Sequence, residues 1–412
     1  MTERVAHIAW LGKKSPFCGN VTYGLSTTEA LRLRGHQTSF IHFDNPGSPG
    51  STTSLVANDP DVSLPYLVKS QVYTIPSPRA QRELRESLER LQPDLVHASL
   101  TLSPLDFRLP DLCQQLGVPL VATFHPAFDA GLRNLTAGTQ QLTYQLYAPA
   151  LARYDRVIVF SEMQADVLAR LGVRNDRLAV IPNGVDPERW APAGLSTGAL
   201  PGGGLSSANL SSGHLSSGKL NERQKVRGRL GNQRIFLYMG RVSTEKNVEA
   251  LLKGWKLVNP AGCKLVIVGD GPLRATLQNT HTADNVLWWG YESNLDTRVA
   301  LLQEAEVFVL PSLVEGLSIA LLEAMASGCA CLATDAGADG EVLADGAGIV
   351  LSTQGVTTQL RTLLPVLRDQ PVLTAELGRR ARERVLERYT LSRNIDALEQ
   401  LYSGLLAAPL AA

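Results

Sequence analysis

At 412 residues the chain is too long for one hydrophobic core of ordinary size, so two domains are expected. Its apolar content of 44% and charged content of 19% are typical of a folded globular protein. The formal net charge of zero argues against a nucleic-acid-binding protein, because such proteins depend on an excess of Lys and Arg. The five cysteines lack the paired spacing of a zinc site and indicate reduced thiols in a cytosolic compartment. We expect no secretory signal and no spanning segment, because the sequence contains no run of about 18 apolar residues.

The first half of the chain alternates short apolar runs with helical segments, a pattern typical of parallel α/β sheets. The predicted strands are Val5–Leu11, Thr38–Phe43, Asp94–Ala98, Val118–Thr123, Arg156–Phe160 and Leu178–Ile181. The predicted helices include Arg79–Leu91, Gln141–Ala152 and Glu162–Leu171.

Residues 194–220 interrupt this alternation with a stretch rich in Gly and Ser. The stretch contains a five-residue quasi-repeat, LSSAN, LSSGH and LSSGK. Gly and Ser at this density do not hold a core, and leucines spaced by five suit neither a strand nor a helix. The composition therefore predicts an interdomain linker with an expanded, disordered insertion.

The α/β alternation then resumes. The predicted strands are Arg234–Met239, Lys264–Val268, Asn285–Trp288, Val307–Leu310, Ala330–Ala333 and Gly348–Leu351, and the predicted helices are Val248–Leu257, Leu295–Glu304 and Ser318–Ser327. We predict Rossmann-like domains at 1–187 and 229–390, joined by a linker at 188–228, with a helix at 391–412 that packs back on the first domain. Because ligands bind at the carboxyl ends of parallel strands, the active site is expected in a cleft between the two sheets.

Two cations follow the first strand of the second domain. Gly240 ends that strand and permits close approach of the backbone to a ligand, while Arg241 and Lys246 lie before the next helix, whose N-terminus favours an anion. Two charge-assisted contacts of about 1.5–3 kcal/mol each would suit a diphosphate. The alternative is that both are solvated surface charges. A second strand ends at Gly269-Asp270-Gly271, which is either a structural turn or part of a ligand site.

Two glutamates lie around the start of an apolar helix. Glu315 is in the loop after strand Val307–Leu310, and Glu323 lies within the helix beside Leu322 and Met325. A buried carboxylate is costly unless it is paired or bonded to ligand hydroxyls. The backbone N–H groups of the helix N-terminus suit phosphate, and they belong to Gly316, Leu317, Ser318 and Ile319. Hydroxyl-binding carboxylates beside phosphate-binding amides and cations indicate a nucleotide-sugar site.

At these residues the chain resembles the retaining GT-B glycosyltransferases of family 4. The resemblance covers nearly the full length, and it is carried by the residues named above together with Ala324-Met325-Ala326 and the stretch Ile181–Asp186. The sequence departs from the family at Cys329-Ala330, where a proline is common. The resemblance implies that Arg241 and Lys246 hold the donor diphosphate, that Glu323 binds the ribose hydroxyls, and that Glu315 contacts the transferred sugar or the neighbouring lysine.

The first domain supplies two further candidates. His125 directly follows strand Val118–Thr123, and the resemblance implies that it contacts the donor sugar near the reacting carbon. Gly19, in the loop after the first strand, resembles the family's glycine beside the diphosphate. The family also implies front-face transfer in which the leaving diphosphate helps to deprotonate the acceptor. No metal or other cofactor is expected, because the string Asp59-Pro60-Asp61 lies in a polar loop rather than after an apolar strand.

The first forty residues bear on the acceptor. The run His7–Tyr23 and the segment Arg34–Gln37 resemble cyanobacterial digalactosyldiacylglycerol synthases. This resemblance implies transfer of galactose from UDP-galactose to monogalactosyldiacylglycerol, and a cytoplasmic protein held peripherally on a thylakoid or plasma membrane. The alternatives are a family 4 enzyme acting on another glycolipid or on a soluble sugar or polysaccharide acceptor, a sugar-nucleotide epimerase, and a non-catalytic scaffold. The oligomeric state is left open.

Two segments are candidates for contact with a membrane surface. The helix around Leu373–Tyr389 carries apolar residues spaced by four and five arginines: Arg379, Arg380, Arg382, Arg384 and Arg388. It is either a basic amphipathic helix on anionic lipid or an ordinary helix packed on the second domain. The second segment contains Leu64, Tyr66, Leu67, Tyr73 and Ile75.

Overall fold

The computed structural model describes residues 5–15, 18–44, 61–70, 73–126, 135–194 and 215–407. The chain divides into two compact α/β units. The first unit is built mainly from the chain up to Gly184 and from Leu391 onward, and the second is built from Val185–Thr390. Two Rossmann-like units with parallel sheets confirm the predicted fold class.

The first unit is organised around a seven-stranded parallel sheet with the strand order β3-β2-β1-β6-β7-β8-β9. The strands are β1 (His7–Leu11), β2 (Gln37–Phe43), β3 (Val62–Leu64), β4 (Tyr66–Lys69), β5 (Thr74–Pro76), β6 (Leu95–Ser99), β7 (Leu120–Thr123), β8 (Arg156–Val159) and β9 (Leu178–Val180). β4 and β5 form a separate antiparallel pair. The central strands β6 and β7 are buried along their whole length, as expected for strands in the middle of a parallel sheet, although β6 contains His97 and Ser99.

In the described part of the first unit, five α-helices precede β9. They are α1 (Gly19–Leu33), α2 (Ala80–Leu91), α3 (Leu109–Leu116), α4 (Leu135–Leu151) and α5 (Glu162–Arg170). Local chemistry sets several of their ends. The Ser161 hydroxyl caps α5 by accepting the N–H of Gln164 at 3.1 Å, and Gly117 ends α3 in the left-handed conformation at φ 65°.

The second unit contains a six-stranded parallel sheet in the order β12-β11-β10-β13-β14-β15. Its strands are β10 (Arg234–Met239), β11 (Cys263–Val268), β12 (Val286–Gly290), β13 (Ala305–Leu310), β14 (Ala330–Thr334) and β15 (Ile349–Leu351). Its helices are α6 (Leu215–Leu230), α7 (Val248–Val258), α8 (Arg274–Thr280), α9 (Leu295–Glu304), α10 (Ile319–Ala326), α11 (Asp339–Leu343), α12 (Val356–Asp369) and α13 (Pro371–Arg388). The order places the carboxyl ends of β10 and β13 side by side, where the predicted donor residues lie.

Helix α6 corrects the predicted linker. The sequence predicted a linker over 188–228, whereas the structure has a helix from Leu215 onward. Tertiary contacts account for the difference, because Val226 and Leu230 are buried and Arg227 pairs with Glu304 of α9 at 3.1 Å. Residues 195–214, which hold most of the predicted insertion, lie outside the described residues.

The last helix, α14 (Leu391–Ala407), belongs to the first unit. It buries Ile395, Leu398 and Tyr402. Its Glu399 accepts hydrogen bonds from Arg34 at 2.9 Å and pairs with His36 at 3.0 Å, both just after α1. Helix α14 therefore contributes to the core of the first unit, although it follows the whole second unit in the sequence.

Candidate functional site

Backbone packing explains the glycines at the carboxyl ends of β10 and β11. A Cβ on Gly240 would lie 2.9 Å from the hydroxyl of Tyr238, which donates to the Arg241 carbonyl at 2.6 Å. Gly269, at φ +132°, passes so close to Gly240 that a Cβ would lie 1.8 Å from its carbonyl oxygen. A Cβ on Gly271 would similarly lie 2.3 Å from the Val242 carbonyl oxygen. The structural-turn interpretation of Gly269-Asp270-Gly271 therefore accounts for both glycines, whereas a Cβ at position 240 would require the Tyr238 side chain to shift.

The two predicted cations are paired with carboxylates. Arg241 forms an ion pair with Glu245 at 2.6 Å, and Glu245 also accepts a hydrogen bond from the Ser243 hydroxyl at 2.6 Å. Lys246, at the end of a short 3-10 turn, donates from Nζ to Oε1 of Glu315. Lys246 is mostly buried. It is therefore not a freely solvated surface charge, which was the alternative interpretation.

Glu315 is held in place by the loop that follows β13. Its side chain is only 7% exposed and accepts hydrogen bonds from Lys246 and from the Ser312 hydroxyl, the latter at 2.7 Å. The same loop is tied to its neighbours, since the Leu313 N–H donates to the Glu245 carbonyl at 2.7 Å. Of the two roles predicted for Glu315, contact with the neighbouring lysine is the one present in the structure.

Helix α10 begins at the predicted phosphate-binding amides. Ser318 caps the helix, because its hydroxyl accepts the N–H of Leu321 at 3.3 Å. The backbone N–H of Ser318, however, donates to Oδ1 of Asp339 at 2.9 Å. The prediction that the Ser318 amide is available to phosphate therefore needs correction in this structure, since a carboxyl group of α11 already satisfies it.

Glu323 is buried and paired. It is 3% exposed, and Nη2 of Arg298 on α9 donates to both of its carboxylate oxygens, at 3.0 and 2.9 Å. Burial raises the pKa of Glu323, and the Arg298 guanidinium opposes that rise. Arg298 also lies over the ring of Trp190, 5.5 Å from its centroid. Sequence reasoning required a partner for Glu323 but did not identify Arg298, because a single arginine on an amphipathic helix is ordinary.

In the first unit, His125 is a neutral, partly buried imidazole. Its Nε2 lies 2.8 Å from the Ser99 hydroxyl, which donates to Oδ1 of Asn20 at 2.7 Å. Because that hydroxyl proton is used on Asn20, Nε2 of His125 must carry the proton that it donates to Ser99. Burial, assisted by Lys13, lowers the pKa of His125 to about 3. His125 is thus oriented for hydrogen bonding and carries no charge at neutral pH.

Gly19 lies at the start of α1, beside Asn20. A Cβ on Gly19 would meet no atom within 4 Å, so packing of the described residues does not require glycine there. This open space is compatible with the predicted close approach of a ligand. Gly19 and His125 belong to the first unit, whereas the other predicted site residues belong to the second.

Sequence reasoning missed a buried polar network beneath His125. His97 on β6 contacts the Tyr402 hydroxyl through Nδ1 at 2.5 Å and the Thr123 hydroxyl through Nε2 at 2.7 Å. Burial lowers the pKa of His97 to about 3. The only available signal was a histidine inside a predicted apolar strand, and its partner on α14 is more than 300 residues away in sequence.

The two candidate membrane segments differ in their surroundings. Helix α13 buries one face, and its arginines are engaged by Glu376, Asp345 and backbone carbonyl groups, as expected for an ordinary packed helix. The β4–β5 pair instead exposes large apolar side chains: Leu67, Val68, Tyr73 and Ile75. Leu64, which the prediction grouped with them, is buried in β3.

Within the part of the chain that the structure describes, no helix is both long and apolar enough to cross a bilayer. Of the Asp59-Pro60-Asp61 string, the first two residues lie outside the described residues, and Asp61 pairs with Lys14.

Two domain families match the sequence. Residues 221–384 match the family described as Glycosyl transferases group 1, and residues 19–189 match the one described as Glycosyltransferase Family 4. Together the two matches include all the predicted site residues.

Two curated relatives are similar over part of their length. N-acetyl-alpha-D-glucosaminyl L-malate synthase of Bacillus anthracis is 30% identical over 181 residues, which are 42% of this chain and 46% of that protein. The UDP-Gal:alpha-D-GlcNAc-diphosphoundecaprenol alpha-1,3-galactosyltransferase of Escherichia coli is 26% identical over 258 residues, which are 60% of this chain and 57% of that protein. The chain thus spans about half the length of these relatives.

A solved structure extends the similarity to the whole fold. Anabaena Alr3699/HepE in complex with UDP-glucose superposes with a TM-score of 0.73 and 16% identity, covering 97% of this chain and 100% of that one. At this level of identity the likeness is one of fold. The chain thus carries a glycosyltransferase family 4 domain at 19–189 and a glycosyltransferase group 1 domain at 221–384, and it has the two-domain GT-B fold of these glycosyltransferases.

Proposed function

We propose that the protein is a retaining glycosyltransferase that transfers a hexose from a nucleotide diphosphate sugar to a glycolipid. The observation that carries this proposal is the paired set of charges at the carboxyl edge of the second sheet. Lys246 with Glu315 and Arg298 with Glu323 form two buried ion pairs on either side of the start of α10. Buried charges are costly to maintain for stability alone, so their clustering at a strand edge favours a ligand-binding role.

Each group of this set matches one part of the donor. Glu323 keeps unused acceptor capacity beside Arg298 and would bind the ribose hydroxyls. Arg241 and Lys246 would hold the diphosphate, together with amides of Gly316, Leu317 and Ile319. Glu315 would contact the transferred sugar while it orients Lys246. Gly19 and His125 would approach the donor from the first unit.

The proposed chemistry is front-face substitution at the anomeric carbon. The bond from that carbon to the diphosphate oxygen breaks, and a bond to the acceptor hydroxyl oxygen forms on the same face. The departing diphosphate takes the acceptor's proton, which balances the charge. Arg241 and Lys246 would stabilise the charge that develops on the leaving group, and neutral His125 would donate or accept a hydrogen bond without adding charge. The proposal uses no metal or other cofactor.

The donor and acceptor proposed are UDP-galactose and monogalactosyldiacylglycerol, with digalactosyldiacylglycerol as product. The resemblance of the first forty residues supports this choice, and the printed name of the Escherichia coli relative likewise combines UDP-galactose with a lipid-linked acceptor. A lipid acceptor also gives a role to the exposed Leu67, Tyr73 and Ile75, which would contact a membrane surface. The protein would then act at the cytoplasmic face of a thylakoid or plasma membrane.

The test is a matrix of donors and acceptors. Purified protein is incubated with UDP-galactose, UDP-glucose or GDP-mannose, each against monogalactosyldiacylglycerol in mixed micelles and against soluble sugars, with products identified by mass spectrometry. We expect a digalactolipid only in the combination of UDP-galactose and galactolipid. A product on soluble sugars alone would instead support a soluble-acceptor enzyme, and an epimerised donor without any transfer would support an epimerase.

A further inference from the structure

Two polar side chains of the first unit, Asn20 and Ser99, are hydrogen-bonded in series to His125, and the proposed function gives them no role. Asn20 lies in the first turn of α1, Ser99 ends β6, and His125 follows β7. Ser99 is 1% exposed. The three residues come from three different elements, so the fold itself brings them together at the carboxyl edge of the first sheet.

The backbone of Leu100 fixes the direction of the Asn20 amide. Nδ2 of Asn20 donates to the Leu100 carbonyl oxygen at 3.1 Å. A carbonyl oxygen can only accept, so a reversed amide would place two acceptor oxygens against each other. Asn20 therefore presents its oxygen, Oδ1, to Ser99.

The Ser99 hydroxyl passes this constraint on to His125. Its Oγ lies 2.7 Å from Oδ1 of Asn20 and 2.8 Å from Nε2 of His125. Oδ1 can only accept, so the single hydroxyl proton of Ser99 is donated to Asn20. Oγ is then an acceptor for His125, and Nε2 must carry the N–H that it receives.

The other ring nitrogen of His125 is consequently a bare acceptor. Burial, together with Lys13, lowers the pKa of His125 to about 3, so the ring holds one proton at neutral pH. Because that proton is on Nε2, Nδ1 has only its lone pair to offer. The rings of Tyr23 and Phe160 pack against the imidazole with centroid distances of 5.1 and 5.3 Å, which holds its plane.

Nδ1 of His125 is also accessible. It makes no hydrogen bond to any described residue, and it is not among the fully buried polar atoms that lack a partner. The imidazole is partly exposed, in contrast to the buried Ser99 on its other side. An uncharged acceptor attracts hydroxyl hydrogens and offers nothing to diphosphate oxygens, which are acceptors themselves. The chemistry of Nδ1 thus fits the hydroxyl-bearing part of a nucleotide sugar.

We propose that Asn20 and Ser99 are positioning residues, which hold His125 in the tautomer whose Nδ1 accepts a hydrogen bond from a hydroxyl group of the transferred sugar. This inference rests on the proposed nucleotide-sugar donor. It decides the direction of the His125 hydrogen bond, and it assigns this residue to the sugar and not to the diphosphate.

Nitrogen-15 NMR of histidine-labelled protein tests the tautomer, with His125→Gln identifying the signals of His125. We expect the Nε2–H form in the wild-type protein. In Asn20→Ala the Ser99 hydroxyl becomes free to donate to Nε2, so the Nδ1–H form should appear. The double variant Asn20→Ala/Ser99→Ala removes that competing donor and should reduce the Nδ1–H form again. Thr22→Ala is the matched control in the same turn of α1, because Thr22 bonds only to the Cys18 carbonyl within its own helix end.

Calorimetric titration with UDP-galactose and with UDP measures the consequence for binding. Asn20→Ala should weaken UDP-galactose binding about fivefold and leave UDP binding within about twofold of wild type, because only the sugar contact is lost. The double variant should recover part of the affinity for UDP-galactose. A merely structural role of Asn20 would give no such recovery. Thermal unfolding of each variant checks the fold.

Several outcomes would overturn this inference alone. They are an Nδ1–H form in the wild-type protein, an Asn20→Ala variant that keeps the wild-type tautomer, and equal losses of UDP and UDP-galactose binding in that variant. A greater loss of UDP-galactose binding in the double variant than in Asn20→Ala would also contradict it. A wild-type protein that binds neither UDP nor UDP-galactose would overturn the proposed function as well.

Discussion

At the scale of single residues, the second unit contains ion pairs between residues that are far apart in the sequence. Glu315 is paired with Lys246, and Glu323 with Arg298. Each pair holds a carboxylate in a fixed direction and keeps part of its acceptor capacity free. In the first unit, by contrast, burial keeps His97 and His125 neutral, and hydroxyl groups orient them. Ion pairing thus orients the carboxylates of the second unit, whereas burial and hydroxyl groups keep the two histidines of the first unit neutral and oriented.

The cations proposed for the diphosphate should affect turnover more than binding. We expect Arg241→Ala and Lys246→Ala to lower kcat by about 10²–10³, because charge on the leaving group is greatest in the transition state. Glu323→Ala should mainly weaken nucleotide binding. Steady-state kinetics and UDP titration separate the two effects, with Lys253→Ala as control because Lys253 forms an exposed ion pair with Glu249. Wild-type transfer in all three variants would show that the site lies elsewhere.

Arg298 should act through Glu323 as a positioning residue. Without the guanidinium, nothing offsets the burial that raises the pKa of Glu323, so this carboxyl should protonate at higher pH. In Arg298→Met, UDP affinity should therefore fall, and the loss should be greater at about pH 6 than at about pH 8.5. Arg298→Lys should recover part of the affinity. Arg227→Met removes an ion pair with Glu304 at the other end of α9 and should leave the pH profile unchanged.

Two histidines of the first unit, His97 and His125, should each lose a stabilising contribution in acid. Their folded pKa values, lowered to about 3, lie below the unfolded value, so the stability they contribute is present above about pH 6.5 and is lost as pH falls. Asp106, with a pKa raised to about 6, has the opposite effect. Asp339 and Glu323, whose pKa values burial also raises, act in the same direction as Asp106. Each of the two histidines binds about one proton more in the unfolded chain at pH 5, which corresponds to about 1.4 kcal/mol of stability per pH unit.

Urea unfolding at several pH values measures this dependence. His97→Gln removes one of the two ionisable groups, so its stability should depend less on pH between about 5 and 6.5. A His97→Gln variant whose stability depends on pH as strongly as that of wild type would contradict the assignment of a neutral histidine at this position.

At the scale of elements, contact with neighbours overrides composition. Helix α6 begins in a Gly/Ser-rich stretch that predicted a linker, and it is held by α9 through buried apolar residues and ion pairs with Glu304. The glycines at 269 and 271 show a second effect of neighbouring elements, since they let the loop after β11 pack its backbone against the backbone of the loop after β10. The turn residues can be identified from the local sequence, but their contacts depend on which element lies beside them.

The packing of α6 has a measurable cost. Leu230 is fully buried, so Leu230→Ala should destabilise the second unit by about 2–5 kcal/mol through lost burial and a residual cavity. Lys225→Ala, on the exposed side of the same helix, should change stability by less than about 0.5 kcal/mol. Chemical denaturation gives both values. Equal stability of the two variants would mean that α6 is a linker helix without a core role.

At the scale of the whole molecule, the chain leaves its first unit at Gly184 and returns to it at Leu391. The returning helix α14 supplies Tyr402 to the network of His97 and supplies Glu399 to Arg34 and His36. The first unit therefore depends on residues that follow the second unit in the sequence. This arrangement makes the integrity of its polar network sensitive to the far end of the sequence.

Truncation tests this dependence. A chain that ends at Thr390 lacks α14 and exposes the surface that covers Ile395 and Tyr402, so we expect loss of cooperative unfolding of the first unit. A chain that ends at Ala407 keeps α14 and serves as control. Limited proteolysis with mass spectrometry assigns cleavage to each unit. Cleavage sites confined to the second unit of the shorter chain would contradict the prediction.

The sequence by itself determined the two α/β units and the order of the site residues, because apolar runs and strand-end motifs are local signals. It placed Glu315 and the start of α10 correctly, since a proline, a loop and a capping serine lie within a few residues of each other. Only the tertiary structure decided what those residues touch. Arg298, Asp339 and Tyr402 lie at sequence distances of 25, 21 and 305 residues from their partners Glu323, Ser318 and His97. Side-chain pairs of this kind depend on which strands and helices become neighbours, so no local pattern in the chain specifies the pairs. Burial in the folded structure then influences the protonation of the paired groups.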